Sequence, residues 1–182
     1  MLPDMQNLNN ALSAAGFGNI NVSTAVKMSV LAFSSPPSSG AFVDPRHGPH
    51  RFGLLAGTGS PLLANIYPYC AYRGAGGNID LNYALLKPSS PTSNGPEYTN
   101  LFDAMTDAMY SAMEKVGGSN VPIVVSESGW PSDGGFEAMV ENTQTYNQNL
   151  IDHVGNGTPK RPWALETYIF AMFICRQRHE TE

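Results

Sequence analysis

The sequence predicts an α/β chain built on a parallel sheet, and three observations carry that prediction. Helix-like and strand-like segments alternate: one helix, three strand-and-helix pairs, then a last strand. The strand segments read as continuous apolar runs, the pattern of strands covered on both faces. The longer helical segments each carry one apolar stripe at spacings of three and four. Two architectures fit this order, a doubly wound sheet and part of a (β/α)8 barrel. A complete barrel typically takes about 250 residues. The chain has 182, and four strands are half of a barrel.

Each element follows from local signals. Met5, Leu8, Leu12 and Ala15 define a first helix, with Pro3 near its start and Gly16 at its end. Residues 19–26, NINVSTAV, are β-rich and read as the first strand. A loop marked by Pro36, Pro37 and Gly40 follows, then a short helix in RFGLLAGTG. Residues 60–72, SPLLANIYPYCAY, read as a second buried strand, and residues 74–96 as a long Gly/Pro/Ser loop. The clearest helix lies in residues 97–118. There Tyr98, Leu101, Phe102, Met105, Ala108, Met109, Ala112, Met113 and Val116 form one stripe that Gly117 ends. Its methionines suit packing of helix on sheet. VPIVVSE (121–127) is the third strand. A helix over 136–157 puts Phe136, Met139, Val140, Thr143, Tyr146, Leu150 and Val154 on one side. ALETYIFAMFI (164–174) is the fourth strand.

Composition narrows the function. Hydrophobic residues make up 42% of the chain, enough for one packed domain over 1–182. The net charge is −5 and the ten Lys and Arg are scattered, which argues against a nucleic-acid partner. No apolar run approaches the roughly 20 residues of a membrane span, and MLPDMQNLNN has no signal-peptide character. Cys70 and Cys175 stand outside any metal-binding spacing, and a bridge between them is left open. No metal site or other cofactor is expected: GTGSP and GAGG lack a phosphate-loop arrangement, and His47 and His50 read as surface loop residues. Ser128 lacks the glycine two residues before it that a hydrolase elbow needs. Asp103, Asp107, Glu137 and Glu141 are spaced like exposed helical charges. Asn21-Val22-Ser23 and Asn156-Gly157-Thr158 are formal glycosylation sequences. The first falls in a strand; the second, in a turn, is meaningful if the protein is secreted.

One carboxylate differs from the rest. Glu127 follows the apolar run Pro122-Ile123-Val124-Val125-Ser126, at the C-terminal end of a strand. In parallel α/β folds that edge carries the chemistry, because loops there surround a cleft. Trp130, in a Gly-Trp-Pro turn, offers a flat face to a sugar ring. Asn65, Tyr67 and Tyr69 end the preceding strand with groups that bind sugar hydroxyls and rings. At least one of the two tyrosines is expected to be structural.

These residues resemble a known family. VPIVVSESGWPSDGG is similar to the signature of plant glycoside hydrolase family 17, the endo-1,3-β-glucanases, and the resemblance runs to about residue 173. It implies an incomplete (β/α)8 barrel, about strands five to eight, acting on β-1,3-glucan with retention of configuration. It places Glu127 as the nucleophile, with Asn65, Tyr67, Tyr69 and Trp130 on the substrate. The family's acid/base glutamate belongs to an Asn-Glu-Val strand that has no counterpart in this sequence, so activity of the chain by itself is not expected. A non-catalytic glucan-binding role is the alternative. Residues 174–182, ICRQRHETE, diverge, and Cys175 and Arg178 stand where the family carries a cleft glutamate and lysine. By the same resemblance the protein is extracellular or vacuolar.

Overall fold

The computed structural model describes residues 2–44, 48–88 and 98–171. Helix α1 (Leu2–Ala14) leads to β1 (Ala25–Lys27) and then to a short hairpin, β2 (Leu31–Phe33) with β3 (Ala41–Phe42). Helix α2 (Gly48–Thr58) returns the chain to β4 (Leu62–Asn65), which is followed by α3 (Pro68–Gly74) and α4 (Leu81–Ala84). Helix α5 (Leu101–Lys115) precedes β5 (Ile123–Ser128), and α6 (Val140–His153) precedes β6 (Thr167–Ile169).

Four of these strands form one parallel sheet in the order β1-β4-β5-β6. The order never reverses, so among the described residues there is no switch point of the doubly wound kind. The winding is that of a barrel segment. Ala25 pairs with Leu63, Leu62 with Ile123, and Val125 with Thr167, which brings the strand C-termini to one edge.

The core lies between this sheet and its helices. Leu55, Leu62, Ile66, Phe102, Met109, Met113, Val125, Tyr146 and Leu150 are all buried there. The predicted stripe of α5 is in the core, but the helix is buried on nearly every side. The β2–β3 hairpin covers its other flank, in a stretch that the sequence presented as plain loop. Gly40 permits this: a Cβ there would lie 2.0 Å from the carbonyl oxygen of Ala108.

That second cover corrects two expectations. Asp103 and Asp107 are not solvated helical charges; they are 4% and 0% exposed. Asp107 accepts from the Tyr98 hydroxyl at 2.9 Å, the Thr158 hydroxyl at 2.5 Å and the Lys160 backbone N–H at 2.9 Å. Asp103 caps α5 together with Asn100 and lies 2.8 Å from His153 Nε2. Glu137 is half-buried, while Glu141 is exposed as expected.

Boundaries also differ. The second strand stops at Asn65 because Pro68 opens α3, where its missing N–H is harmless and its φ suits a helix. The first strand shrinks to Ala25–Lys27. Helix α6 begins only at Val140, since Gly134 and Glu137 adopt positive φ in the preceding loop. Phe136, Met139 and Val140 are therefore exposed rather than packed. Cys70 is exposed on α3. Cys175, His47 and the side chain of His50 lie outside the described residues. Among those described, no helix is long and apolar enough to cross a membrane.

Two predictions follow from the buried carboxylates. Asp107→Ala orphans two buried hydroxyls and a half-buried backbone N–H, a buried donor costing about 1–3 kcal/mol when unpaired. The urea midpoint should fall by an amount equivalent to about 3 kcal/mol, with Asp107→Asn retaining part of it; a loss below about 1 kcal/mol would refute the anchor. The second concerns His153, whose bond to Asp103 raises its pKa above the usual 6.5 against the opposing effect of burial. A raised folded-state pKa stabilises the fold below the unfolded value, and that stability fades as pH climbs through the folded one. The midpoint should decline as pH rises from 6.5 through the raised folded-state pKa, and His153→Asn should flatten the decline.

Candidate active site

The site is built where β4 and β5 end together. Along β5 the side chains change from buried to half-buried at Ser126 and Glu127, then return to buried at Ser128. Ser128 turns toward the helix layer, where its hydroxyl lies 2.6 Å from that of Tyr146 on α6. Alternation sends its neighbour Glu127 to the opposite face, away from the helices. An irregularity between Ala64 and Asn65 sets Asn65 beside Glu127, and the Ile66 N–H donates to the Glu127 carbonyl at 2.9 Å. The backbone of the carboxylate-bearing residue is thus pinned from the adjacent strand.

The same strand end supplies the partner of the side chain. The Tyr67 hydroxyl donates to Glu127 Oε2 at 2.8 Å. Tyr67 is the extended residue before Pro68 at the start of α3, which fixes where its ring emerges. Burial first, and then the bond to Glu127 and its charge, push the phenol well above its usual 10.0. It remains a neutral donor to the carboxylate under all ordinary conditions. Asn65 is placed beside this pair, accepting from the Ser126 hydroxyl at 2.8 Å through Oδ1. Asn65, Tyr67 and Glu127 are therefore brought together, each half-buried and open on one side.

Two other residues expected on a sugar are elsewhere. Trp130 is 4% exposed, and its indole N–H donates to the Glu137 carbonyl at 2.8 Å. Its ring packs among Tyr69, Tyr72 and Tyr146, with centroids 5.1, 5.8 and 5.7 Å away. Tyr69 is buried in that cluster because the chain there is helix, not strand. Both stiffen the loop after Glu127 and have no free face for stacking. The loop instead exposes Phe136, stacked on Tyr72 at 6.0 Å and 63% exposed. Its place in an apparent helical stripe concealed it.

The remaining acids named here are engaged away from Glu127. Asp80 caps α4 through the Tyr83 N–H. Glu166 sits before the Val125–Thr167 pair, toward the strand starts, and accepts from the Tyr168 hydroxyl. Glu114 is bridged by Lys160 and Arg161.

Comparison with known proteins bears on the whole chain. The family model for glycosyl hydrolases family 17 matches residues 1–182. A glucan endo-1,3-beta-glucosidase GII of Hordeum vulgare is 57% identical over 181 residues, 98% of this chain and 54% of its own length. An acidic isoform from Zea mays is 55% identical over 186 residues, covering all of this chain and 55% of its own. A solved beta-1,3-glucanase and allergen of Cryptomeria japonica pollen superposes with a TM-score of 0.89 at 51% identity, over 93% of this chain and 55% of that one. A structure from work on two plant beta-glucan endohydrolases with distinct substrate specificities gives 0.90 at 48% identity, over 94% and 57%. The chain spans about half the length of the curated relatives it matches.

The Tyr67–Glu127 contact is open to direct measurement. Difference absorbance between the native chain and Tyr67→Phe should show no ionisation of that phenol at its usual 10.0. Glu127→Gln should bring the titration down without restoring the usual value, because burial persists. A phenol that titrates normally in the native chain would contradict the geometry.

Proposed function

Because the chain belongs to glycosyl hydrolases family 17, we propose that it is the nucleophile-bearing part of a retaining endo-1,3-β-glucanase. The observation that carries this reading is the Tyr67 hydroxyl on Glu127 Oε2 at a strand's C-terminal end. In a retaining mechanism one carboxylate attacks the anomeric carbon and forms a glycosyl-enzyme intermediate. Glu127 takes that role. Tyr67 aims Oε2 and leaves the other oxygen to attack. The Asn65 amide, held through its oxygen by Ser126, donates its N–H groups to a sugar hydroxyl. Phe136 supplies apolar surface beside the path of the chain.

A glycosidic oxygen is a poor leaving group unless a second carboxylic acid, about 5 Å from the nucleophile, protonates it. Asp80, Asp103, Asp107, Glu114 and Glu166 all have other partners. Cleavage therefore requires an acid supplied from beyond these residues, and without it the chain at most binds β-1,3-glucan. By kinship with plant glucanases, the protein works outside the cell or in the vacuole.

The two halves of the mechanism separate experimentally. An activated 2-deoxy-2-fluoro laminaribiosyl fluoride needs little protonation of its leaving group. It should label the chain once, at Glu127 by peptide mass, and Glu127→Gln should abolish labelling. Tyr67→Phe should slow it about tenfold, the value of one hydrogen bond of ~1.4 kcal/mol. Laminarin should release no reducing sugar with the chain alone. Labelling at another residue, or turnover of laminarin that Glu127→Gln abolishes, would overturn the respective half.

A further inference from the structure

The fold treats the two Asn-x-Ser/Thr sequences differently. Asn21 is exposed but borders buried chain: its Oδ1 lies 3.5 Å from Ser60 Oγ, a fully buried hydroxyl, Val22 is 6% exposed, and Ser23 donates to the Pro61 carbonyl. Asn156 is exposed at the end of a single turn, Val154–Asn156, that follows α6. Gly157 has a φ of +72°, and a Cβ there would come within 2.2 Å of the Arg161 and Trp163 carbonyl oxygens. Only glycine lets the chain turn this tightly, and the turn leaves Asn156 outermost. Thr158 goes the opposite way. It is 4% exposed, exchanges backbone hydrogen bonds with Arg161 at 2.9 and 3.0 Å, and gives its hydroxyl to Asp107.

We propose that Asn156 is an N-glycan acceptor, and that the glycan is attached before Thr158 docks on Asp107. The inference rests on the secretory reading above. The co-substrate is a lipid-diphosphate-linked oligosaccharide. The Asn156 amide nitrogen forms a bond to the sugar's anomeric carbon, the bond from that carbon to the phosphate oxygen breaks, the lipid diphosphate leaves, and the amide proton passes to base. The transferase reads the hydroxyl two residues on. In the folded chain that hydroxyl is held by a buried carboxylate and its backbone is locked to Arg161, so the folded sequence is not a substrate. Once folding has sealed Thr158, the glycan at Asn156 projects into solvent and disturbs no packing.

The test uses the full chain carrying an added cleavable leader, translated into microsomes. With Asn21→Gln in place to remove the other acceptor, one glycan should appear, as a mobility shift that N-glycanase removes. Adding Asn156→Gln should eliminate it and leave the urea midpoint unchanged. In a second arm, the purified folded chain and a peptide spanning 150–162 are offered to solubilised oligosaccharyltransferase with its lipid-linked donor. The peptide should be modified at least tenfold faster. Absence of any shift, a shift that survives Asn156→Gln, or equal rates for chain and peptide would overturn the proposal. Neither arm depends on the native leader or on Glu127, so failure here and failure of labelling at Glu127 are distinguishable.

Discussion

The pairing of β4 with β5 is the constraint on which the site depends. Parallel register places Leu62 opposite Ile123, and one irregularity then sets Asn65 opposite Glu127. A slip of one residue would turn Glu127 toward Tyr146 and the helix layer, where a carboxylate has no place. β5 is buried continuously over Ile123–Val125 and β4 at alternate residues, so the apolar runs that form the core hold the register and also aim the acid. Gly129 tightens the same edge: a Cβ there would sit 2.3 Å from the Phe170 carbonyl oxygen, and β5 and β6 close on each other directly after the site.

Behind the sheet, α5 is held by charge as well as by grease. Asp107 draws Tyr98, Thr158 and the Lys160 backbone onto one carboxylate, joining the approach to α5 with the loop that leads into β6. Burial raises the pKa of this acid, and the hydroxyl and N–H donors oppose the rise. An ionised acid in such a place costs several kcal/mol without partners. Its value to the fold is positional. It ties together segments about fifty residues apart, and those segments support the two strands flanking the site.

The strands and long helices were legible because their apolar periodicity is local. The strand-end position of Glu127 was legible too, since a charge that ends an apolar run is conspicuous. What escaped depends on partners distant in sequence. Nothing near Asp107 announces Thr158, and a spacing of four made it look solvated. Tyr69 and Trp130 misled for a related reason: an aromatic beside a catalytic-looking turn reads equally as platform or as core. Pro68 decided the matter by ending the strand and turning Tyr69 inward. Phe136 shows the converse, an apolar residue counted into a helix that begins four residues later.

A glycosidase must make its nucleophile and its acid differ in protonation, and the two requirements differ in reach. Under the proposed reading the environment of the nucleophile is local, because Glu127 ends β5 and Tyr67 follows directly on the end of the adjacent β4. A donor aimed at the ionised carboxylate favours the charged form that attacks. The acid must instead face the nucleophile across a sugar ring, about 5 Å away, so it is contributed across the cleft rather than by the adjacent strand. On the proposed reading Glu127 supplies one half of that pair, and cleavage belongs to both carboxyl groups together.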